Sequence, residues 1–229
     1  MTDLTRYRSF FRIPPGMIYL DGNSLGPLCE PAERSLQSAV ASWRDRAILG
    51  WTAGEHPWFE MSRAVAAKLA PLLGADATSV AVGQSTTINL HQLLASFYRP
   101  AERPKIVTDA TSFPTDRYAV VSHLALRSRS EADLVVVPAD ADRRLSEDRI
   151  LKAMTPDVGF AVLPAVVYTS GQLLDMVSVT AEARKRGILV AWDCSHSAGV
   201  VPHHFLTDDI DLAFGCGYKY LNGGPGSAA

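Results

Sequence analysis

Six short apolar runs alternate with helical stretches from residue 79 onward, and that rhythm restricts the fold more than any other feature. The runs are SVAVG (79–83), KIVTDA (105–110), DLVVVPA (133–139), VGFAVLPAVVYT (158–169), ILVAWD (188–193) and IDLAFGC (210–216). Several are almost continuously apolar and rich in β-branched residues, as strands buried on both faces are. Between them, apolar residues recur at helical spacing over Thr87–Tyr98, Thr115–Leu126, Leu145–Met154 and Val177–Arg186. Strand and helix in alternation predict βαβ units: an α/β fold with a mostly parallel sheet flanked by helices. Two helical stretches precede this region. One runs from Glu30 to about Gly50 through Leu36, Val40, Trp43 and Ile48; the other runs from Trp58 to Leu73 and stops at Gly74, a C-cap residue type.

Composition narrows the function classes. Apolar residues make up 47% of 229, enough for a sizeable core. The net charge is −2 and the basic residues are scattered, which argues against a nucleic-acid or anionic-membrane surface. No stretch reaches the ~20 apolar residues of a membrane helix, and the N-terminus has no apolar run of signal-peptide type. The three cysteines, Cys29, Cys194 and Cys216, are odd in number and not at metal spacing, which suits a reducing cytosol. A cytoplasmic location is expected.

In parallel sheets, ligands sit beyond the carboxyl ends of the strands. SVAVG is followed by GQSTTINL, where Thr86 and Thr87 offer hydroxyls at a helix start whose free amides suit a phosphate. A plain threonine N-cap reads the same residues equally well. After KIVTDA, Phe113 lies before Pro114, and Thr115 or Asp116 can cap the next helix; Phe113 either stacks on a flat ring or covers the core edge. After ILVAW comes Asp193, with His196 three residues on. A carboxylate at a buried strand end needs a cation or hydrogen bonds, or it caps the next turn. Asp-x-x-His is also half a metal site, but no second His or Cys pair stands nearby at zinc spacing. After IDLAFGCG comes Tyr218-Lys219-Tyr220. Most lysines lie on the surface, yet this one follows a buried-type strand and sits between rings. An amine shielded in that way becomes nucleophilic and can form a Schiff base with a carbonyl.

A phosphate cup, a stacking ring, a carboxylate for a ring cation and an imine-forming lysine are together what pyridoxal 5′-phosphate requires. Asp193 and Lys219 stand 26 positions apart (219 − 193), joined by a turn and one strand, so both can face one pocket.

WDCSHSAG together with DLAFGCGYKYLNGGPG resembles the kynureninases, within the fold-type I pyridoxal-phosphate enzymes of the class V aminotransferase superfamily. YLDGNSLGPL, STTINLHQLL, SFPTDRY and YTSGQLLDM resemble further segments of that family in the same order. The resemblance implies the large domain of an aspartate aminotransferase-like fold. Residues 1–50 would form an N-terminal segment and helix, 51–229 part of the cofactor-binding domain, and a C-terminal small domain with more of the sheet would lie beyond this chain. It implies Lys219 as the Schiff-base lysine, Asp193 on the pyridine nitrogen, His196 close to the ring, and Thr86, Thr87 and Tyr218 around the phosphate. It further implies Phe113 stacked on the ring with Pro114, Thr115 and Asp116 completing that wall, Pro164 where some relatives carry a small hydroxyl residue, and Trp51 in the substrate pocket. The implied activity is hydrolysis of L-kynurenine, or its 3-hydroxy form, to anthranilate or 3-hydroxyanthranilate and L-alanine in tryptophan catabolism, by a homodimer. Other class V enzymes, such as a cysteine desulfurase or an aminotransferase, and an inactive truncated remnant are the alternatives.

Overall fold

The computed structural model describes residues 3–227, so the first two and last two residues of the expected segments 1–50 and 51–229 taken together lie outside it. Seven strands form: β1 (Lys105–Asp109), β2 (Leu134–Val137), β3 (Val158–Pro164), β4 (Val166–Val167), β5 (Gln172–Leu173), β6 (Leu189–Asp193) and β7 (Leu212–Phe214). Five of them make one sheet in the order β2-β1-β3-β6-β7, and every neighbouring pair in it is parallel. β4 and β5 pair as a separate antiparallel hairpin.

Among the described residues there are six α-helices, three before β1, namely α1 (Glu30–Arg46), α2 (Trp58–Leu73) and α3 (Thr86–Phe97), and three between strands, namely α4 (Pro114–Leu126), α5 (Glu147–Ala153) and α6 (Met176–Lys185). Each central strand turns alternate residues to opposite faces. Ile106, Phe160, Val162 and Ala191 pack with Leu90 and Leu94 of α3 and Val120 and Leu124 of α4. Val107, Ala161, Leu163, Val190 and Trp192 pack on the other face with Ile150 of α5 and Val179 and Ala183 of α6. This two-sided burial is why the strands read as unbroken apolar runs. Trp192 is fully buried, and its indole N–H donates to Thr180 Oγ1 at 2.9 Å, so the one polar atom of the ring has a partner.

The helix ends follow local chemistry. Gly74 closes α2 in the left-handed region at φ +57°, where a side chain would be strained. Ser85, not a threonine, caps α3, its hydroxyl accepting from the Ile88 amide. This corrects the threonine-cap reading: Thr86 and Thr87 occupy the first helical turn. Phe113 stands at the N-cap of α4 with no side-chain cap, because Pro114 opens the helix without needing one. Neither Thr115 nor Asp116 caps it.

Two strand expectations fail. The run 158–169 is not one strand: it breaks after Pro164 and resumes as the β4–β5 hairpin. SVAVG forms no strand; a short 3-10 turn (Ala77–Ser79) leads into Val80, which is extended at φ −104° and ψ 130° but belongs to no ladder. The first helix is also shorter than expected, giving way at Ala47 to a 3-10 turn through Trp51. α1 contributes no buried residue, and Leu36, Val40 and Trp43 are exposed on it.

Candidate functional site

The carboxyl ends of β1, β3, β6 and β7 open on one side of the sheet, and the side chains gathered there are polar in an otherwise apolar interior. Asp109 ends β1, Pro164 ends β3, Asp193 ends β6, and Lys219 follows β7 by five positions (219 − 214). Pro164 is buried and in register with Asp193. A proline lacks an N–H, so its place at the last position of a strand costs little.

A cavity of about 210 Å³ lies above these ends, walled by Thr86, Thr87, Phe113, Asp116, Asp193 and Lys219, among others. An apolar cavity of about 150 Å³ holds a benzene ring, so this one has room for a substituted six-membered ring. The start of α3 faces the cavity. Thr86 Oγ1 donates to the Gly215 carbonyl at 3.1 Å, which ties the helix start to the end of β7. Ser85 serves the Ile88 amide, so the Thr86 and Thr87 amides point outward from the first turn without intrahelical partners, as at anion-binding helix starts.

Lys219 is only 8% exposed, and its Nζ lies 2.7 Å from His196 Nε2. Burial, followed by the charge of Lys219, lowers the His196 pKa, so its imidazole stays neutral and accepts from the ammonium. The same Nζ stands 5.8 Å from the Phe113 ring centre and 5.9 Å from that of Tyr218. The Tyr218 hydroxyl is pushed above its usual range, chiefly by burial, and remains an O–H donor at neutral pH.

Asp193 accepts from the Ser195 amide at 2.8 Å through Oδ1. That contact is a local turn bond, and Lys219 and Asp116 share the same cavity. Asp116 is buried at 2% exposure and walls the same cavity as Asp193. Burial first, then the Asp193 charge, push its pKa up to about 8. With its pKa raised that far, Asp116 holds its proton at neutral pH. Asp109 fixes the next loop, accepting from the Thr111 amide at 2.7 Å and the Ser112 hydroxyl at 2.5 Å.

The Asp116 titration has a measurable consequence. The folded chain holds that proton up to about pH 8, whereas the unfolded chain releases it near 3.8. Between those values the folded state binds more protons, so stability falls as pH rises through the window. Asp116→Asn keeps the neutral shape and removes the titration. Thermal melts of the cofactor-free protein should place this variant above wild type at pH 8, with the gap closing toward pH 4. A gap of equal size at both pH values would contradict the raised pKa of Asp116.

The aminotransferase class-V family profile matches residues 39–228. The chain belongs to the aminotransferase class-V family. Among curated proteins it is 48% identical over 229 residues to a kynureninase of Bacillus cereus, covering 99% of this chain and 54% of that protein. It is 46% identical over 228 residues to a kynureninase of Geobacillus thermodenitrificans, covering 99% of this chain and 53% of that one. The chain therefore spans about half the length of the curated relatives it matches. Among solved structures, a variant of C-DES with glycine covalently linked to its PLP cofactor superposes with a TM-score of 0.83 at 15% identity, covering 100% of this chain and 58% of that one. The cysteine desulfurase CsdA of Escherichia coli superposes at 0.78 and 20% identity, covering 100% and 57%. At those identities the likeness speaks for the fold, a class-V large-domain sheet.

In this class-V chain the structure brings together Thr86, Thr87, Phe113, Thr115, Asp116, Asp193, Tyr218 and Lys219 around one cavity, with His196 in contact through Lys219. Pro114 opens α4 next to Phe113, and Pro164 stands beside Asp193 on the neighbouring strand. Trp51 is not brought to the cavity: it is partly exposed and packs on Trp58 at 5.5 Å and Phe59 at 4.9 Å between ring centres. Cys194 and Cys216 are small buried core residues, as expected, and burial pushes the Cys194 thiol up to about 12.

Sequence reasoning missed Tyr168. Its ring stacks on His196 at 5.7 Å and 26°, and meets the Phe113 edge at 5.7 Å and 67°. The available signal was an aromatic just past a strand end, at the turn of the β4–β5 hairpin. Ser85 and Ser195, which also line the cavity, lacked even that.

Proposed function

We propose that this chain carries the cofactor-binding half of a pyridoxal-phosphate-dependent hydrolase that converts L-kynurenine, or 3-hydroxy-L-kynurenine, and water to anthranilate, or 3-hydroxyanthranilate, and L-alanine. One observation carries the reading: Lys219 and Asp193, from separate strand ends, wall a single ring-sized cavity that opens toward a helix start. The 46–48% identity to proteins named kynureninase supports the substrate choice over other class V reactions.

The residues present fit the cofactor. The free amides and hydroxyls of Thr86 and Thr87 would hold its phosphate. Phe113 would stack on its ring, with Pro114 and Thr115 backing that wall. Asp193 would hold a proton on the ring nitrogen, and Asp116 would donate to Asp193 from the side. When bound, pyridoxal phosphate supplies an electron sink for the substrate's Cα electrons.

Lys219 would hold the cofactor aldehyde through its amine. The free amine of Lys219 would act as general base at the substrate Cα. His196 accepts a hydrogen bond from Nζ and so keeps the amine aimed into the cavity. Tyr218, an O–H donor next in the chain, returns protons near the same site. Burial of these groups limits water's access to the transferred proton.

The exposed apolar side chains of α1 and the turn after it, including Trp43, Ile48 and Trp51, support a homodimer formed over that face. Trp51 would then act as a substrate-pocket residue at the subunit boundary. Residues 1–50 would form the N-terminal segment of this assembly and 51–229 the cofactor-binding part, with a small domain supplied by the portion of the relatives that this chain does not span. A cytoplasmic location fits these assignments.

The test offers kynurenine and cysteine separately to the full-length protein carrying this chain, supplied with pyridoxal phosphate. Anthranilate from kynurenine, without sulfide from cysteine, is the expected result. Sulfide without anthranilate would replace this reading with a desulfurase.

A further inference from the structure

Gly26 lies far from Lys219 in sequence, yet it touches both peptide groups that flank the lysine Cα. Its N–H donates to the Tyr218 carbonyl at 2.7 Å. Its Cα lies against the Lys219 carbonyl so closely that a Cβ would collide with that oxygen and with Asn222 Oδ1, and would sit 3.0 Å from Asn222 Cα. Two of these three atoms are backbone and cannot swing away. Gly26 is itself buried.

The contact is anchored on both sides. The N-terminal loop is held by the Arg12 amide donating to Leu28 O at 2.8 Å and by the Tyr19 hydroxyl donating to Leu25 O at 2.6 Å. Pro27 restricts Gly26 to extended backbone. On the lysine side, the Asn222 amide donates to Lys219 O at 3.1 Å, closing a turn in which Asn222 sits at φ +53°. From the opposite direction Gly199, at φ +91°, presses on the same loop: a Cβ there would meet Leu221 Cδ2 at 3.1 Å and Tyr220 C at 3.4 Å.

We infer that Gly26 is a positioning residue for Lys219: the N-terminal loop clamps the peptide groups on either side of the lysine and so sets the direction of its amine. Fixing those two planes fixes the backbone torsions of Lys219, from which its side chain reaches His196 and the cavity. The role assigned to the amine rests on the proposed function; the clamp itself does not.

The test compares Gly26→Ala with Gly159→Ala. Gly159 is another close-packed glycine, on β3, where a Cβ would meet Arg103 O at 2.8 Å, away from the lysine loop. In the cofactor-free chain, acetic anhydride labelling of Lys219 relative to the other lysines is read by peptide mass spectrometry. Cofactor affinity is read by absorbance. Gly26→Ala should change the relative labelling of Lys219 and weaken cofactor binding at least about tenfold, as a misplaced reacting group does. Gly159→Ala should lower the melting temperature without changing either. Unchanged labelling in Gly26→Ala, or equal changes in both variants, would overturn the inference. Should Gly26→Ala fail to fold, amide exchange in the wild-type chain decides. The Gly26 N–H should exchange far more slowly than that of exposed Asn23, and equal rates would remove the clamp. Should the wild type bind no cofactor, the functional reading falls, while labelling and exchange still judge the clamp.

Discussion

Lys219→Ala should abolish the covalent hold on pyridoxal phosphate and with it turnover of kynurenine. The wild-type chain mixed with the cofactor should show an absorbance band that the alanine variant lacks. Loss of a general base alone is worth about 10²–10⁴-fold in rate, and loss of the attachment point adds to it. The substitution also removes the positive charge facing Asp116 and Asp193, which counteracts the upward shift of Asp116. Lys219→Arg separates these effects. It restores a cation beside the carboxyl pair but supplies no amine that condenses with an aldehyde at neutral pH. The arginine variant should therefore recover thermal stability lost by the alanine variant and recover neither band nor turnover. Activity in either variant comparable to wild type would remove Lys219 from the chemistry.

Asp193→Asn should leave the cofactor bound and slow the reaction by about 10²–10³-fold, the size of loss seen when one charge-stabilising group is removed from a site. The geometry permits this separation. An asparagine oxygen can still accept from the Ser195 amide, the bond that Asp193 Oδ1 makes at 2.8 Å, so the turn after β6 survives. What disappears is the negative charge that the proposed function sets against the ring nitrogen. Asp116 responds as well, because the Asp193 charge is the second cause of its raised pKa after burial. The measurement is kcat beside the cofactor dissociation constant: kcat should fall while binding changes far less. Parallel collapse of both would make Asp193 a structural residue of the turn.

The sheet was legible because the signal was local. KIVTD, VGFAVLP and LVAWD carry apolar side chains for both faces, and each becomes a parallel strand with α3 and α4 on one side and α5 and α6 on the other. SVAVG carries the same propensity and forms no strand. Strand formation needs a partner, and among the described residues Val80–Val82 pair with none. Pro164 ends β3 in register with Asp193, and the hairpin that follows could not be told from a continued strand by composition.

The site was legible at strand ends, where an Asp and a Lys follow apolar runs and have few structural reasons to be there. Its cross-connections were not. That His196 accepts from Lys219, that Tyr168 stacks on His196, and that Asp193 helps raise the Asp116 pKa all depend on contacts between segments far apart in sequence. Trp51 packs on Trp58 and Phe59 within the chain, a contact the sequence did not reveal. The role of Gly26 was not legible, because nothing local reveals that a backbone some 190 residues on (219 − 26 = 193) lies against it.

Reductive trapping tests the central claim most directly. The 229-residue chain is mixed with pyridoxal phosphate, treated with borohydride, digested, and its peptides weighed. One pyridoxyl group should appear on Lys219, at cofactor concentrations that leave the surface lysines unmodified, and Asp193→Asn should still acquire it. A label spread evenly over the lysines, with Lys219 no more reactive than the rest, would contradict the placement of that amine in a cofactor cavity.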